Sequence, residues 1–236
     1  MTAAGPRALL LLVGLALLSC GPGAQARPDD TEATLQRRAE ALLARAREVE
    51  PPVTELLMRL AGEAGGEMVG LEHRFKTLES TLRKMRLILS EEPDVTAETV
   101  TIPDALRYTM RVDDDPPGNY VRTCAATLDA LEAAGHRVIV VKNYWPRGDN
   151  YSGVNTIMQA GGLEWELQFH TTDSYRIQRE TRALYEELRL EATPPDRKRE
   201  LFDIMTTAWD AAAVPADVLE PHNMHEEEEI RDRPRP

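Results

Sequence analysis

The chain has 236 residues, 28 Lys+Arg against 40 Asp+Glu, a formal charge of −12 and 42% hydrophobic residues. That length suits one domain with a full core, with room for a small helical annex, and the apolar fraction rules out wholesale disorder. The acidic balance argues against a protein that coats duplex nucleic acid, and the two cysteines, Cys20 and Cys124, cannot make a disulfide framework or a cysteine-rich zinc site.

The first 26 residues read as an export signal. Arg7 precedes an apolar run of eleven residues, Ala8–Leu18, about the length of a signal-peptide core and too short to span a bilayer comfortably. Two cleavage readings fit. Leu17-Leu18-Ser19-Cys20 resembles a bacterial lipobox, which would leave a lipidated Cys20 at the mature terminus. Ala24-Gln25-Ala26 is an A-x-A site, which would release a soluble protein beginning at Arg27. Removal of 1–26 leaves 27 basic and 40 acidic residues, a net −13, with Cys124 as a buried thiol.

A helical segment spans 27–66. Leu35, Ala39, Leu42, Leu43 and Ala46 recur at helical spacing, Pro51-Pro52 is expected to end that helix, and Leu56, Leu57 and Leu60 mark the next. A third amphipathic stretch is expected over about 71–89. Beyond Pro93 the texture changes. Segments 106–112, 137–141, 153–159 and 163–169 read as strands, with Gly161-Gly162 as the hairpin turn between the last two. Helices are expected at 120–134, 174–190 and 196–213. The sum is an α+β domain over 67–214, a mixed sheet of about five strands flanked by helices, followed by a flexible acidic tail over 215–236.

Three clusters carry chemistry. Arg74, Lys76, Ser80 and Lys84 fall on the third helical stretch, where basic groups near helix-start amides can hold phosphate; a solvated basic face is the other reading. Asp104 stands at the head of a strand, and Glu164, Glu166 and Gln168 share one face of the last strand. Should those strands be neighbours, Asp104 and Glu166 could hold Mg²⁺, which takes one or two carboxylates plus substrate phosphates. The other reading is the solvent side of a hairpin. The segment 142–155 offers Lys142 and Arg147 for phosphates and Tyr151 as a face on which a base can stack; an ordinary surface loop with Trp145 tucked inward is the alternative. His222 and His225, followed by four glutamates, could bind metal but sit in a polar tail. Met205 and Trp209 fit a helix core, and Ser152 lacks the partners of a nucleophile.

Five segments in order resemble the RelA/SpoT-type nucleotide pyrophosphokinase (alarmone synthetase) domain. They are Arg74-x-Lys76-x3-Ser80-x3-Lys84, Asp104 before a strand, Lys142-Asn143-Tyr144, Asn150-Tyr151-Ser152-Gly153-Val154-Asn155-Thr156, and Glu166-Leu167-Gln168-Phe169-His170-Thr171. With the export signal, the wording looks closest to secreted actinomycete ATP nucleotide 3′-pyrophosphokinases, and similar to toxin-type relatives. The resemblance implies transfer of the β,γ-pyrophosphate of ATP to the 3′-hydroxyl of a purine nucleotide, releasing AMP. It assigns Arg74, Lys76, Ser80, Lys84 and Arg107 to the donor phosphates. Asp104 and Glu166 would be catalytic and hold Mg²⁺, with Glu166 also accepting the hydroxyl proton. Lys142, Tyr151, Asn155, Gln168 and His170 would meet the acceptor.

His170 stands where the family has Arg and Asn155 where it has His, departures that bear on acceptor choice. Asp104 and Arg107 are also closer together than in many synthetases. The resemblance further implies a small single-domain enzyme without a hydrolase or regulatory part. Its partners would be an ATP donor and a purine nucleotide acceptor, with no duplex nucleic acid, no obligate protein partner, and membrane contact only through a lipid anchor at Cys20. The alternatives are a secreted toxin of the same chemistry acting on cellular nucleotides or an RNA 3′ end, and a non-catalytic envelope lipoprotein.

Overall fold

The β4–β5 hairpin is the most locally specified part of the computed structural model, which describes residues 28–145, 150–190 and 192–219. Strands β4 (Val154–Ala160) and β5 (Leu163–His170) pair antiparallel around Gly161 and Gly162, both at positive φ (56° and 75°). That backbone suits a tight hairpin turn, and glycine reaches it without a Cβ clash. The export segment with Cys20, residue Arg147, and His222 and His225 lie outside the described residues.

The other strands are β1 (Glu67–Val69), β2 (Arg107–Arg111) and β3 (Arg137–Asn143), in a five-stranded sheet ordered β1-β2-β5-β4-β3. All neighbours are antiparallel except β2 and β5, which run parallel. The fold is α+β, with helices α1 (Pro28–Glu63), α2 (Leu78–Glu91), α3 (Asn119–Ala133), α4 (Thr172–Leu188) and α5 (Pro195–Asp210). No helix among the described residues is long and apolar enough to cross a membrane.

Strand alternation divides the sheet into two unlike faces. One carries Tyr108, Met110, Val154, Met158, Trp165, Leu167 and Phe169, all buried with Val53 and Leu57 of α1 and Cys124, Leu128 and Leu131 of α3. Tyr108 and Trp165 meet edge to face at 5.7 Å. The other face carries Arg107, Thr109, Asn155, Glu166 and Gln168, set side by side by the pairings Arg107↔Glu166, Thr109↔Gln168 and Asn155↔Gln168. A second cluster packs Leu35, Ala39 and Leu43 of α1 on Leu82 and Met85 of α2, with Val100, Ile102 and Ala105.

Four expectations need correction. The Pro51-Pro52 pair does not end a helix: α1 runs from Pro28 to Glu63 with both prolines inside. Each proline removes a helical N–H. Yet Val49, Val53, Leu57 and Ala61 on either side are buried in one cluster, and that burial favours a continuous helix. The stretch 71–89 is not one helix. A 3₁₀ turn, Leu71–His73, is followed by extended backbone, and α2 starts only after Thr77, whose side chain accepts from Ser80 N at 3.2 Å. The basic segment is therefore split between two elements. Lys142 and Asn143 belong to β3 rather than to a loop. The tail does not begin at 215: Val218 is buried, and its carbonyl accepts from Asn143 Nδ2 at 2.6 Å.

Leu167 is fully buried at the sheet centre. Leu167→Ala is expected to cost about 2–5 kcal/mol, the range for large-to-small core substitutions. Urea unfolding followed by circular dichroism measures it, as a lower midpoint at unchanged slope.

Candidate active site

Asp104 sits in a 3₁₀ turn, Pro103–Ala105, between the fully buried Ile102 and Ala105. A carboxylate that deep needs cations. Two supply the charge: Lys76 Nζ lies 2.7 Å from Oδ2 and Lys84 Nζ 2.8 Å from Oδ1. Burial pushes the Asp104 carboxyl upward, but Lys84 and Lys76 outweigh it and hold the group at about 2. The same burial pulls the Lys76 ammonium down, against the attraction of Asp104.

The two lysines arrive from different elements. Lys76 lies in the extended segment whose N–H bonds Ala105 O at 3.1 Å, while Arg107 N bonds Arg74 O at 2.8 Å. Lys84 comes from α2, with the half-buried Ser80 one turn before it on the same helix face. Arg74 does not join them. It closes the preceding 3₁₀ turn at helical angles (φ −64°, ψ −26°), so strand alternation begins only after it. Its guanidinium bonds Glu50 of α1 at 2.7 Å and Leu71 O at 2.6 Å, and lies 5.0 Å from the Phe75 ring centroid.

Glu166 comes in from β5. Its N–H bonds Leu106 O at 3.0 Å and its register partner is Arg107, so it stands beside the Asp104 turn. Burial raises its pKa first and the Asp104 charge adds to this; Lys84 and Arg107 act the other way. Arg107 is half-buried and forms no ion pair among the described residues. Gln168 continues the row and accepts from Thr109 Oγ1 at 3.4 Å. Lys142 lies across β4, opposite Asn155, and is likewise without an ion pair among the described residues. Arg107 and Lys142 are separated by three strand steps. At about 4.8 Å per step, two cations thus flank the Glu166–Asn155 strip about 14 Å apart across the sheet, offset by two residues along the strands.

Tyr151 stands over this strip, half-buried, with its ring edge-on to Tyr144 (5.3 Å) and Trp209 (5.4 Å). Its hydroxyl donates to Asn155 Oδ1 at 2.7 Å, and Asn155 Nδ2 donates to Glu166 Oε1 at 3.1 Å. By alternation His170 shares the face of Glu166 and Gln168, but it is covered there. It is fully buried, 3.0 Å from the Tyr151 hydroxyl and 2.9 Å from Ser174 Oγ, so it backs Tyr151 instead of facing solvent. A Cβ on Gly153 would sit 2.9 Å from His170 Cε1 and 3.1 Å from the Tyr151 hydroxyl, so glycine there lets the two meet. Sequence reasoning missed Ser174 and Gln178, and quoted Tyr144 only within a motif. The only signal for Ser174 was its place three residues after Thr171, where the pair forms a capping box at the start of α4. Cys124, Met205 and Trp209 are buried, as the sequence suggested.

Among the described residues no group of three or more His, Cys, Asp or Glu gathers for a metal. Asp104 and Glu166 are both oxygen donors of the kind Mg²⁺ takes, with both Asp104 oxygens engaged by lysine ammoniums. Mg²⁺ usually takes no more than two carboxylates and fills its shell with water and phosphate oxygens.

No protein-family model matches the chain, and no curated protein matches it. Among solved structures it is similar to the Bacillus subtilis small alarmone synthetase 1 bound to its product pppGpp, at 14% identity and a TM-score of 0.45 over 74% of this chain and 92% of that one. It is also similar to a GTP pyrophosphokinase family protein from Streptococcus pneumoniae (13% identity, TM-score 0.47, 74% of this chain, 87% of that one). A third is the B. subtilis small alarmone synthetase 2 (14%, TM-score 0.43, 72% and 92%).

Burial lowers the His170 pKa from 6.5 to about 3, so the folded protein keeps the ring neutral while the unfolded chain protonates it. The unfolded state then binds more protons, so stability is lost as the pH is lowered from about 6.5 to about 3. Asp104 adds a second loss from 3.8 down towards 2. Thermal unfolding from pH 7 to pH 4 is expected to show a falling midpoint in the wild type and a flatter profile in His170→Gln.

Proposed function

We propose that this chain is an exported nucleotide 3′-pyrophosphokinase that moves the β,γ-pyrophosphate of ATP to the 3′-hydroxyl of a purine nucleotide and releases AMP. The observation that carries the reading is the convergence of Asp104 with its two lysines, Arg107 and Glu166 on one open sheet face. Phosphoryl-group transfer asks a protein mainly for positioning and charge neutralisation, and this face offers both. Three of the five segments that resemble alarmone synthetases supply Lys76 and Lys84, Asp104 and Glu166, and the other two bring Lys142 on β3 and Asn155 on β4 beside them.

The transfer joins the acceptor 3′-oxygen to the β-phosphorus and breaks that phosphorus's bond to the α,β-bridging oxygen. AMP leaves with that oxygen. Glu166 takes the hydroxyl proton, and a carboxylate whose pKa is raised by burial suits that task better than an ordinary one. Lys76, Lys84 and Arg107 meet the donor phosphates, with Ser80 at the head of α2. Phosphates drawing the lysine ammoniums would leave Asp104 oxygens open. Mg²⁺ held by Asp104 and Glu166 would supply charge neutralisation at the phosphate oxygens. Lys142 holds the acceptor phosphates from the far side of the strip, and Tyr151 presents its ring to the acceptor base, with Gln168 beside it. Arg74 supports the site from outside, as a strut between α1 and the Lys76 segment.

Export rests on Arg7, the apolar run and the two cleavage patterns. Sequencing the mature amino terminus distinguishes Arg27 from a blocked, lipidated Cys20.

Incubation of the mature protein with γ-labelled ATP, Mg²⁺ and each of AMP, ADP, ATP, GMP, GDP and GTP is expected to give a labelled 3′-pyrophosphorylated nucleotide. Glu166→Gln should lower kcat by about 10²-fold or more, the range for loss of a general base. Lys84→Ala should raise KM for ATP, and Lys142→Ala KM for the acceptor. No labelled nucleotide with any acceptor rejects the reading.

A further inference from the structure

We infer that His170 is a positioning residue for Glu166, acting through an unbroken hydrogen-bonded chain Ser174–His170–Tyr151–Asn155–Glu166. This deepens the pyrophosphokinase reading and rests on it for the role of Glu166. The links measure 2.9 Å from Ser174 Oγ to His170 Nδ1, 3.0 Å from His170 Nε2 to the Tyr151 oxygen, 2.7 Å from that oxygen to Asn155 Oδ1, and 3.1 Å from Asn155 Nδ2 to Glu166 Oε1.

The direction of each link follows from its ends. Asn155 turns its NH₂ to Glu166 Oε1 and its oxygen to Tyr151. The Tyr151 hydroxyl then donates to Asn155, and its oxygen accepts from His170 Nε2–H. That fixes the imidazole tautomer, leaving Nδ1 to accept from the Ser174 hydroxyl. Gln178, whose amide Nε2 is 3.2 Å from His170 Nε2, can turn its oxygen to the same N–H. The far end is rigid: Ser174 is buried in the first turn of α4, where it and Thr171 cap each other. A fully buried, neutral ring is a fixed donor, and full burial leaves it no route to a ligand. The chain also joins two tasks in one side chain. Tyr151 offers its ring to the acceptor and, through its hydroxyl, sets the Asn155 amide that orients Glu166. Seating the acceptor base and aiming the carboxylate are thereby linked.

Two measurements on the full mature protein test this. In kinetics, Tyr151→Phe keeps the ring and removes the hydroxyl; kcat should fall about tenfold with acceptor KM within about twofold. His170→Gln should do the same, and the double variant should be no slower than either single one. A double variant whose losses multiply, or singles that raise KM and leave kcat alone, overturns the inference. The second readout needs no turnover. Long-range ¹H–¹⁵N spectra should show one neutral tautomer at His170, its signals identified by their loss in His170→Gln. Those nitrogen shifts should move in Tyr151→Phe and also in Asn155→Ala and Glu166→Ala. Shifts that respond to Tyr151→Phe but not to changes at Asn155 or Glu166 show that the chain stops at the tyrosine, which rejects the inference. Coupled shifts in a protein that transfers no pyrophosphate reject the activity and leave the hydrogen-bonded chain standing.

Discussion

The parallel pairing of β2 with β5 is the constraint from which the site follows. It sets Arg107 opposite Glu166 and brings the turn that carries Asp104 to the same end of the sheet. The register is enforced from behind, because Tyr108, Met110, Leu167 and Phe169 alternate with the site residues and are buried. A slip of one residue would send the carboxylate into the core and the aromatics to the open face. The core and the site are thus two readings of one alternation. Each buried ring on the inner face holds a polar neighbour on the outer one.

The electrostatics of the site work by separating two carboxylates that a simpler environment would make alike. Asp104 lies between two ammoniums and is held at about 2. Burial raises the Glu166 pKa, and the Asp104 charge adds to it. Pairs whose environments push them apart can divide the work, one as a permanent anion and the other as a group that takes up a proton. The chain is strongly acidic overall, yet Arg107 and Lys142 flank the Glu166–Asn155 strip, and Lys76 and Lys84 stand at the Asp104 turn beside it. A local field of that kind can attract polyphosphate against the net charge of the molecule.

Much of this was legible in the sequence, and the misses have physical causes. The Gly161-Gly162 turn and the alternation over 163–170 specify the hairpin from local chemistry alone. The burial of Cys124 followed from its being a lone thiol, and that of Trp209 from its place in a helix core. The split of Arg74 and Lys76 from α2 did not, because charges at helical spacing looked like one helix face. The Thr77 cap that divides them is a single hydroxyl. The passage of α1 through Pro51 and Pro52 is a tertiary result, since burial on both sides outweighs a local stop signal. Strand β1 is three residues long and has almost no pattern to read. The His170 chain joins residues on β4, β5 and α4 and the loop between β3 and β4, so no spacing could reveal it.

Joining an acceptor oxygen to the β-phosphorus of ATP is the chemistry proposed for this face. ³¹P NMR of a reaction containing ATP, Mg²⁺ and the preferred nucleotide tests it directly. A new pair of coupled diphosphate signals is expected, one of them from a phosphate ester at the ribose 3′ position, rising in equal amount with AMP. Release of free pyrophosphate or orthophosphate without that ester, or an unchanged ATP spectrum, would contradict it.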